Sequence, residues 1–507
     1  MVDELKNVPI TDFSGGLNTY HPATELQLNQ SPDLDNIYLL GKGFKKREGD
    51  SEFNSTAMNS GKQCQMVAYY KEAGGNEFLV AIAGSKVYKS DSLDGTMDEI
   101  AGAGAGHTDP TDGQNNIYTP VILKNLLMWF GASAPQSWDG STATNDYQTL
   151  AGTPPTADFA FTIKDRVFAG KTSANPSTLY WCVLSNPEDW SGTGSGNTAV
   201  VTNDGDNLVG GIQLNNNLAL LFKQYSIHHL VVESSPFPVR PLIRGVGCCG
   251  KHAMVNANGM IYFITKEPRM KSTDGYSIYT YSDSIDDLWD GLNKSRLDYI
   301  QGIYDPVKGL IHWVCSYGTS TTNNYDLVWD IKHKCWLRNT TGFDANTICL
   351  AQGYRLFAGH YAGKIYEKYK STVYEDASET DKSINGYWRS GWLDFGDKFS
   401  VKQARYADII CKTQTRGLVK YSYGYNFNKD TREDSFSQES VGGKWDTDTW
   451  DDSLIWGGED YRQSRVFMFG EGNNFQTKIF NDVEDDSMEI NSLSLAVTVS
   501  GESEITR

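Results

Sequence analysis

The chain has 507 residues, of which 39% are hydrophobic, 12% aromatic and 21% charged, and its 49 glycines and 28 tyrosines are typical of short strands joined by tight turns. Forty-five basic and 63 acidic residues give a formal net charge of −18, which argues against a surface that grips DNA, RNA or an anionic membrane. No apolar run approaches the ~18 residues of a membrane-spanning helix, so no such segment is predicted. The composition indicates an all-β protein.

Residues 1–60 form the first segment, which is polar, rich in glycine and asparagine, and poor in apolar periodicity. It is predicted to be an extended N-terminal arm that lies across the next domain or a neighbouring subunit and contributes a strand. Residues 1–6 lack the basic and apolar stretches of a secretory leader, which predicts synthesis in the cytoplasm. In that reducing compartment the eight cysteines are expected to be free thiols, with disulfides as the alternative.

Residues 61–370 form the second segment, in which short apolar runs alternate with Gly, Asn and Asp and predict strands with tight turns. The turn Ser-x-Asp-Gly recurs at 92–95, 137–140 and 272–275, at separations of 45 and three times 45 residues, and a degenerate copy lies at 361–366. About 45 residues is the length of a four-stranded propeller blade. We therefore predict a β-propeller of six to eight blades, with an array of β-sandwiches as the alternative, since Asp-Gly turns are common in hairpins.

Residues 371–385 carry no apolar run and are predicted to be a linker. Residues 386–507 again show alternating strand patterns, which predict a C-terminal β-sandwich-like platform domain. Acidic residues concentrate here, because residues 430–489 hold 16 acidic and 5 basic residues, a net charge of −11. This stretch predicts a strongly negative face.

No motif of an enzyme or a metal site stands out. Two adjacent cysteines at 248–249 lie near His252 in the sequence, but adjacency does not supply the orienting third group of a nucleophilic site. Two adjacent histidines at 228–229 would face opposite sides of a strand. The run 446–452 has oxygen ligands suited to calcium but lacks the glycine and distal glutamate of an EF-hand loop, so a solvated acidic loop is favoured. We predict no catalytic, cofactor-binding or metal-binding residues, and no enzyme.

Short motifs in all three regions resemble one protein family. They are residues 13–19 (Phe-Ser-Gly-Gly-Leu-Asn-Thr), 26–36 and 43–49 in the arm, 208–223 and 245–264 in the centre, and 388–396 (Trp-Arg-Ser-Gly-Trp-Leu-Asp-Phe-Gly) near the C-terminus. These motifs are similar to those of the nozzle and hub proteins of short-tailed bacteriophages (podoviruses), a group that includes packaged-DNA-stabilising plugs. The family has no catalytic residues to compare.

The resemblance implies a structural component of a virion tail, synthesised in the host cytoplasm. It implies a homo-oligomeric ring, a homohexamer, that forms part of the channel for DNA retention and ejection. The implied partners are other tail proteins on the adaptor or portal side and tail fibres or spikes, while genomic DNA passes without specific binding. The arm residues expected to lock the ring are Phe13, Gly15, Gly16, Leu17, Asn18, Leu34, Asn36, Arg47 and Gly49.

A DNA channel should repel phosphate, so acidic residues suit its wall. The candidate channel-facing residues are Asp446, Asp448, Asp451, Asp452, Asp482, Glu484, Asp485 and Asp486. The alternative function is a propeller lectin or receptor-binding protein that recognises host glycans by stacking Trp138, Trp190 or Trp289 on sugars. A glycosidase is the third hypothesis.

Overall fold

The computed structural model describes residues 5–104, 106–141, 146–370, 375–376, 382–414, 417–439 and 460–502. Within these ranges the chain is almost entirely β and forms a seven-bladed propeller with a β-sandwich beside it. The predicted all-β class, the propeller of six to eight blades and the C-terminal β-sandwich-like domain are therefore confirmed.

The N-terminal segment supplies strands to both domains. Its strands are β1 Leu5–Ile10, β2 Gly16–Leu17, β3 Gln30–Ser31, β4 Asp33–Asp35, β5 Ile37–Leu40, β6 Gly43–Lys46 and β7 Gly49–Glu52, followed by a 3-10 helix at Met58–Gly61. Strands β1, β4, β5 and β6 join the sandwich, β2 pairs with β3, and β7 joins the propeller. The segment predicted as an arm has no core of its own, and its apolar residues complete the cores of the propeller and the sandwich of the same chain.

Seven blades of four antiparallel strands form the propeller; five are separate sheets, and the first two are joined into one eight-stranded sheet by a parallel pairing of their fourth strands. Blade 1 comprises β8 Cys64–Lys71, β9 Glu77–Ala83, β10 Lys86–Asp91 and β11 Asp98–Gly102; blade 2, β12 Thr119–Leu123, β13 Leu126–Phe130, β14 Gln136–Trp138 and β15 Asp146–Thr149; blade 3, β16 Ala157–Ile163, β17 Arg166–Thr172, β18 Thr178–Trp181 and β19 Gly196–Ala199; blade 4, β20 Leu208–Gln213, β21 Leu218–Lys223, β22 Ser226–Val231 and β23 Val239–Arg244.

The chain continues in the same way around the ring. Blade 5 comprises β24 Met254–Ala257, β25 Met260–Ile264, β26 Met270–Thr273 and β27 Ile278–Thr280; blade 6, β28 Gln301–Asp305, β29 Leu310–Cys315, β30 Tyr325–Asp330 and β31 Cys335–Asn339; blade 7, β32 Thr347–Leu350, β33 Leu356–Gly359, β34 Ile365–Lys370 and the N-terminal strand β7. Helix α1 Asp286–Asp290 and 3-10 helices at Asp283–Ile285, Lys294–Tyr299 and Gln352–Tyr354 lie between strands of the propeller.

The repeated Ser-x-Asp-Gly turns occupy equivalent places in the blades. Each of the three joins the third strand to the fourth, in blades 1, 2 and 5, so the separations of 45 and three times 45 residues correspond to one blade and three blades. The degenerate copy at 361–366 joins the second and third strands of blade 7 and is not equivalent.

Seven of the nine remaining strands, together with four from the N-terminal segment, build the sandwich. The nine are β35 Glu375–Asp376, β36 Lys382–Ser383, β37 Gly386–Arg389, β38 Ser400–Lys412, β39 Leu418–Tyr425, β40 Arg432–Ser437, β41 Tyr461–Phe467, β42 Phe475–Asn481 and β43 Glu489–Glu502. One sheet has the order β41-β38-β43-β6-β5, with β1 also paired to β43, and the other has the order β4-β37-β42-β39-β40. Strands β35 and β36 pair antiparallel with each other within the predicted linker.

The interior is apolar and aromatic, with six completely buried tryptophans among its largest side chains. All eight cysteines are free and seven of them are buried, as expected from the sequence. None of the described helices has the length and hydropathy needed to cross a membrane.

Blade 7 is closed by a strand from the other end of the chain. Strand β7 pairs with β34 through Glu52 opposite Tyr366 and Gly49 opposite Lys370, and β32 of this blade contacts β8 of blade 1, which completes the ring. Across this pairing Asp50 binds the Nζ of Lys368 at 2.8 Å, and both side chains are buried.

The buried ion pair should be required for this closure. Asp50→Ala leaves the Lys368 ammonium buried without that carboxylate, which should lower the free energy of unfolding by roughly 3–5 kcal/mol. Glu77→Ala, which removes the partner of the half-exposed Lys71, is the control and should cost less than about 1 kcal/mol. Urea unfolding followed by tryptophan fluorescence measures both, and equal losses would show that the pair does not hold the blade.

Candidate functional site at the joint of the two domains

The joint between propeller and sandwich gathers the residues assigned to the N-terminal arm. Phe13 is completely buried and packs edge-on against the rings of Phe44 and Trp388, at centroid distances of 5.0 and 4.9 Å. Gly16 has φ = +62°, and a Cβ at this position would lie 2.7 Å from the Cβ of Cys335 in blade 6. The glycine therefore lets the segment lie directly against the outer strand of the propeller.

Other arm residues are enclosed in the same way. Leu17, Asn18 and Leu34 are buried, and a Cβ on Gly15 would lie 2.7 Å from the carbonyl oxygen of Asn29. Because their own chain surrounds Leu17, Asn18 and Leu34, these three residues cannot contact a neighbouring subunit directly. Their role in ring assembly stays a prediction, and it would have to act through the position of the joint.

Asn36 and Arg47 form the hydrogen-bonded centre of the joint. Asn36 has φ = +50°, and its N–H donates to the carbonyl oxygen of Arg338 in blade 6 at 2.9 Å. The buried Arg47 donates from Nε to the Oδ1 of Asn36 at 3.1 Å, lies over the ring of Phe343 at 5.1 Å, and pairs with Asp50 at 3.5 Å. Residues of both domains thus bind the same short segment.

Ion pairs extend the joint to the second sheet of the sandwich. Arg338 pairs with Asp33 at 2.8 Å and with Asp35 at 3.8 Å. Arg389 in β37 pairs with Asp33 at 3.4 Å and binds both carboxylate oxygens of Asp430, at 3.0 and 2.7 Å. Burial raises the pKa of Asp35 to about 6, although the Arg338 guanidinium and nearby hydrogen bonds oppose the rise.

This raised pKa predicts that the stability of the joint depends on pH. The folded state holds the Asp35 proton more tightly than the unfolded state, so the contribution is complete below the ordinary pKa of 3.8 and is lost as the pH rises through about 6. Asp35→Asn, which resembles the protonated carboxyl, should gain stability relative to the wild type as the pH rises from 3.8 to about 6, by at most roughly 3 kcal/mol. Urea unfolding across this range measures the difference, and a difference that is independent of pH would contradict the expectation.

The central channel of the propeller is crossed by the side chain of Lys251. From the start of blade 5 its Nζ donates to the carbonyl oxygen of Ile117 at 2.7 Å and to the carbonyl and carboxylate oxygens of Asp158 at 2.8 and 2.9 Å. Burial lowers the pKa of Lys251. Burial alone would raise the pKa of Asp158, but the positive charges of Lys251 and Lys171 hold it well below its usual range. Lys251 lines the first of three cavities, of about 180, 340 and 630 Å³, which share lining residues along the channel.

The acidic candidates in the described part of the chain lie in one loop that adjoins a buried lysine. Lys46 donates from Nζ to the Oδ1 of Asn481 at 2.7 Å and to the carbonyl oxygen of Val483 at 2.9 Å, and burial lowers its pKa to about 7 against the opposing charges of Asp486 and Asp482. Asp482 pairs with Lys420 at 2.9 Å.

The loop leaves two of its four acidic side chains exposed. Asp486 is buried and accepts a hydrogen bond from the N–H of Leu418 at 3.0 Å, so the prediction that it faces a channel is wrong. Glu484 and Asp485 are exposed. The candidates Asp446, Asp448, Asp451 and Asp452 lie outside the described residues.

The paired cysteines do not form an activated nucleophile. Cys248 donates from Sγ to two backbone carbonyl oxygens at 3.3 Å, and burial raises the pKa of Cys249 well above its usual value. Burial also lowers the pKa of His252 to about 3. Among the residues that the structure describes, no three His, Cys, Asp or Glu side chains come together as a metal site. The candidate calcium run 446–452 lies outside them.

Two of the three tryptophans proposed to stack on sugars are in the core. Trp138 and Trp289 are completely buried, so this prediction is wrong for both. Trp190 is half-buried and donates from Nε1 to the carbonyl oxygen of Pro187 at 2.8 Å.

The charged residues that hold the joint and cross the channel were not predicted from the sequence. Arg338 binds Asp33 across 305 positions in the chain, Lys368 binds Asp50 across 318, and Lys251 binds Asp158 across 93. A signal for Arg338 was present, because a charged residue within the apolar strand β31 indicates a buried partner.

The geometry defines a seven-bladed β-propeller protein with an attached β-sandwich. No family model and no curated protein matches the chain. Among solved structures, it is similar to the extracellular domain of a one-component system from B. thetaiotaomicron, with a TM-score of 0.45 and 10% identity over 77% of this chain and 47% of that one.

Two further solved structures match this chain over nearly their whole length. The WD40 β-propeller domain of Doa1 matches with a TM-score of 0.41 and 11% identity over 63% of this chain and 96% of that one. BamB from Moraxella catarrhalis matches with a TM-score of 0.39 and 10% identity over 68% and 100%. The chain spans about half of the B. thetaiotaomicron domain, and all three similarities extend to the fold and no further.

Proposed function

We propose that this chain is a structural subunit of the tail of a short-tailed bacteriophage, assembled as a ring that forms part of the channel for DNA retention and ejection. One observation carries the proposal. Motifs from residues 13–19, 26–36, 43–49 and 388–396, which are nearly 400 positions apart in the sequence, all contribute to the same buried joint. A set of short motifs that meets in space supports a shared architecture more strongly than isolated matches do.

The channel of a single propeller cannot be the path of the DNA, because Lys251 crosses it. The DNA path in this proposal is therefore the axis of a ring of several copies, and a homohexamer is the order that the resemblance implies. The net charge of −18 suits a wall along which DNA slides without specific binding. Adaptor or portal proteins, and fibres or spikes, are the proposed neighbours, and the chain has no enzymatic role.

The assembly state tests the proposal directly. Purified full-length chain should form closed rings with an axial opening wide enough for duplex DNA, as seen by electron microscopy and by mass photometry at micromolar concentration. A chain that stays monomeric under these conditions and is absent from the tails of particles would overturn it.

Two exposed acidic residues, in the loop that adjoins Lys46, can test whether this loop lines the channel. If Glu484 and Asp485 face the ring axis, Glu484→Lys together with Asp485→Lys should slow DNA ejection several-fold, because the new ammonium groups contact phosphate. The defect should be relieved by added salt for the same reason.

The matched control changes two exposed acidic residues of the propeller, as Asp165→Lys together with Glu233→Lys. This variant should eject DNA at the wild-type rate. Ejection measured in vitro at two salt concentrations compares the variants, and an unchanged rate for the Glu484 and Asp485 variant would place that loop away from the channel.

A further inference from the structure

One end of the sandwich exposes three phenylalanines on three loops. Phe399 is 76%, Phe427 58% and Phe469 62% exposed, and we call these residues the aromatic end. Asn473 joins two of the loops, because its side-chain nitrogen donates to the carbonyl oxygen of Phe399 at 3.0 Å and its N–H donates to the Oδ1 of Asn426 at 2.8 Å. The third loop is fixed where the N–H of Phe469 donates to the hydroxyl oxygen of Tyr423 at 2.9 Å.

Hydrogen bonds and one ring contact fix the loops that carry these phenylalanines. The carboxylate of Asp397 accepts from the N–H of Phe399 at 2.9 Å and from the N–H of Ser400 at 3.3 Å. Phe427 has φ = +66°, a conformation that is costly for a bulky residue. Its ring lies 5.1 Å from the buried ring of Trp392. A strained, braced phenylalanine in solvent indicates a preformed contact surface.

The sequence contains one segment whose chemistry matches this surface. Residues 440–459 lie outside the described residues and carry three tryptophans, Trp445, Trp450 and Trp456. The segment has one lysine and five acidic residues, a net charge of −4. Exposed Lys398, Lys429 and Arg432 lie next to the phenylalanines of the aromatic end. Aromatic residues with opposite flanking charges are the typical content of an interface core and its rim.

The anchors of this segment lie at the opposite end of the sandwich. Glu439 bridges to Gln414, and the carbonyl oxygen of Asp460 accepts from the N–H of Thr413 at 3.1 Å. Both partners directly follow strand β38, whereas Phe399 directly precedes it. Strand β38 has 13 residues, which corresponds to ~40 Å.

Two of the three tryptophans lie too close to the anchors for their backbone to reach the aromatic end of their own chain. Trp445 follows its anchor by six residues and Trp456 precedes the other by four, so at most ~21 and ~14 Å of extended chain are available. Phe469, the member of the aromatic end that follows β41, is eight residues from Tyr461, or ~26 Å. These tryptophans can meet the aromatic end of a second copy that is placed end to end.

We propose that the aromatic end binds residues 440–459 of a second copy of this chain. The contact is head-to-tail, so each copy uses two different surfaces, and repetition of the same contact closes a ring or extends a filament. This inference rests on the proposed function in that it names the contact of the proposed ring.

Two full-length variants separate the surfaces. Phe399→Ser, Phe427→Ser and Phe469→Ser together remove the aromatic end, and Trp445→Ser with Trp456→Ser alters the segment. Each variant alone should be monomeric by light scattering. An equimolar mixture should give a 1:1 dimer and nothing larger, because it retains one intact contact. Tyr276→Ser, at an 81% exposed position of the propeller, is the control and should assemble like the wild type.

A peptide tests the contact without the ring. A fluorescent peptide of residues 440–459 should bind the tryptophan variant, whose aromatic end is free, and should bind the triple phenylalanine variant at least tenfold more weakly by anisotropy. Circular dichroism confirms that each variant is folded, and Phe399→Ser alone is the milder substitute if the triple variant is not.

The outcomes separate this inference from the proposed function. Rings that survive in both variants, without a 1:1 dimer on mixing, overturn the inference and leave the proposed function standing. A monomeric wild type whose peptide still binds supports the contact and overturns the ring. Binding to phosphatidylserine vesicles that is lost in the triple variant, with no peptide binding, would assign the aromatic end to a membrane and overturn the inference.

Discussion

The N-terminal segment is shared by both domains, and the relative position of everything else depends on that sharing. Only Arg47 and Glu48 separate β6, which belongs to the sandwich, from β7, which completes blade 7. Strands on both sides of this two-residue connection are hydrogen-bonded into different sheets, and both connecting residues are buried, which leaves the connection little room to move. The N-terminal segment therefore fixes the two domains relative to each other, because each domain contains one of its strands.

Apolar packing and buried charge contribute different things to this joint. Contacts such as Phe13 on Trp388 supply stabilisation that does not depend strongly on direction. Buried pairs such as Asp50 with Lys368 add little net stability relative to apolar residues, but they tolerate one geometry, because a shifted register leaves a charge unpaired. In a closed ring an angular error would be repeated in every subunit, so a joint specified by directional pairs suits the proposed assembly.

The fold was largely predictable from the sequence, whereas the joint was not. Turn residues repeat with the period of a blade, and this local signal predicted the propeller before any contact was known. Strand β7 (Gly-Asp-Ser-Glu) carries no apolar alternation, and its pairing with β34 depends on residues more than 300 positions away. Phe13 and Leu34 were predicted to lie against the propeller or a neighbouring subunit without a choice between the two, because an isolated apolar residue does not reveal which core it enters.

The charge of the chain also constrains where subunits can meet. Copies with a net charge of −18 repel one another, but at physiological salt this repulsion is screened over ~8 Å, so a local contact can outweigh it. Such a contact needs apolar area and nearby cations, and the aromatic end supplies both. In the proposed ring the propeller would be a closed body behind the joint, and the sandwich would carry the surface for assembly. An acidic wall along which DNA slides is then compatible with assembly, because the proposed contact is local.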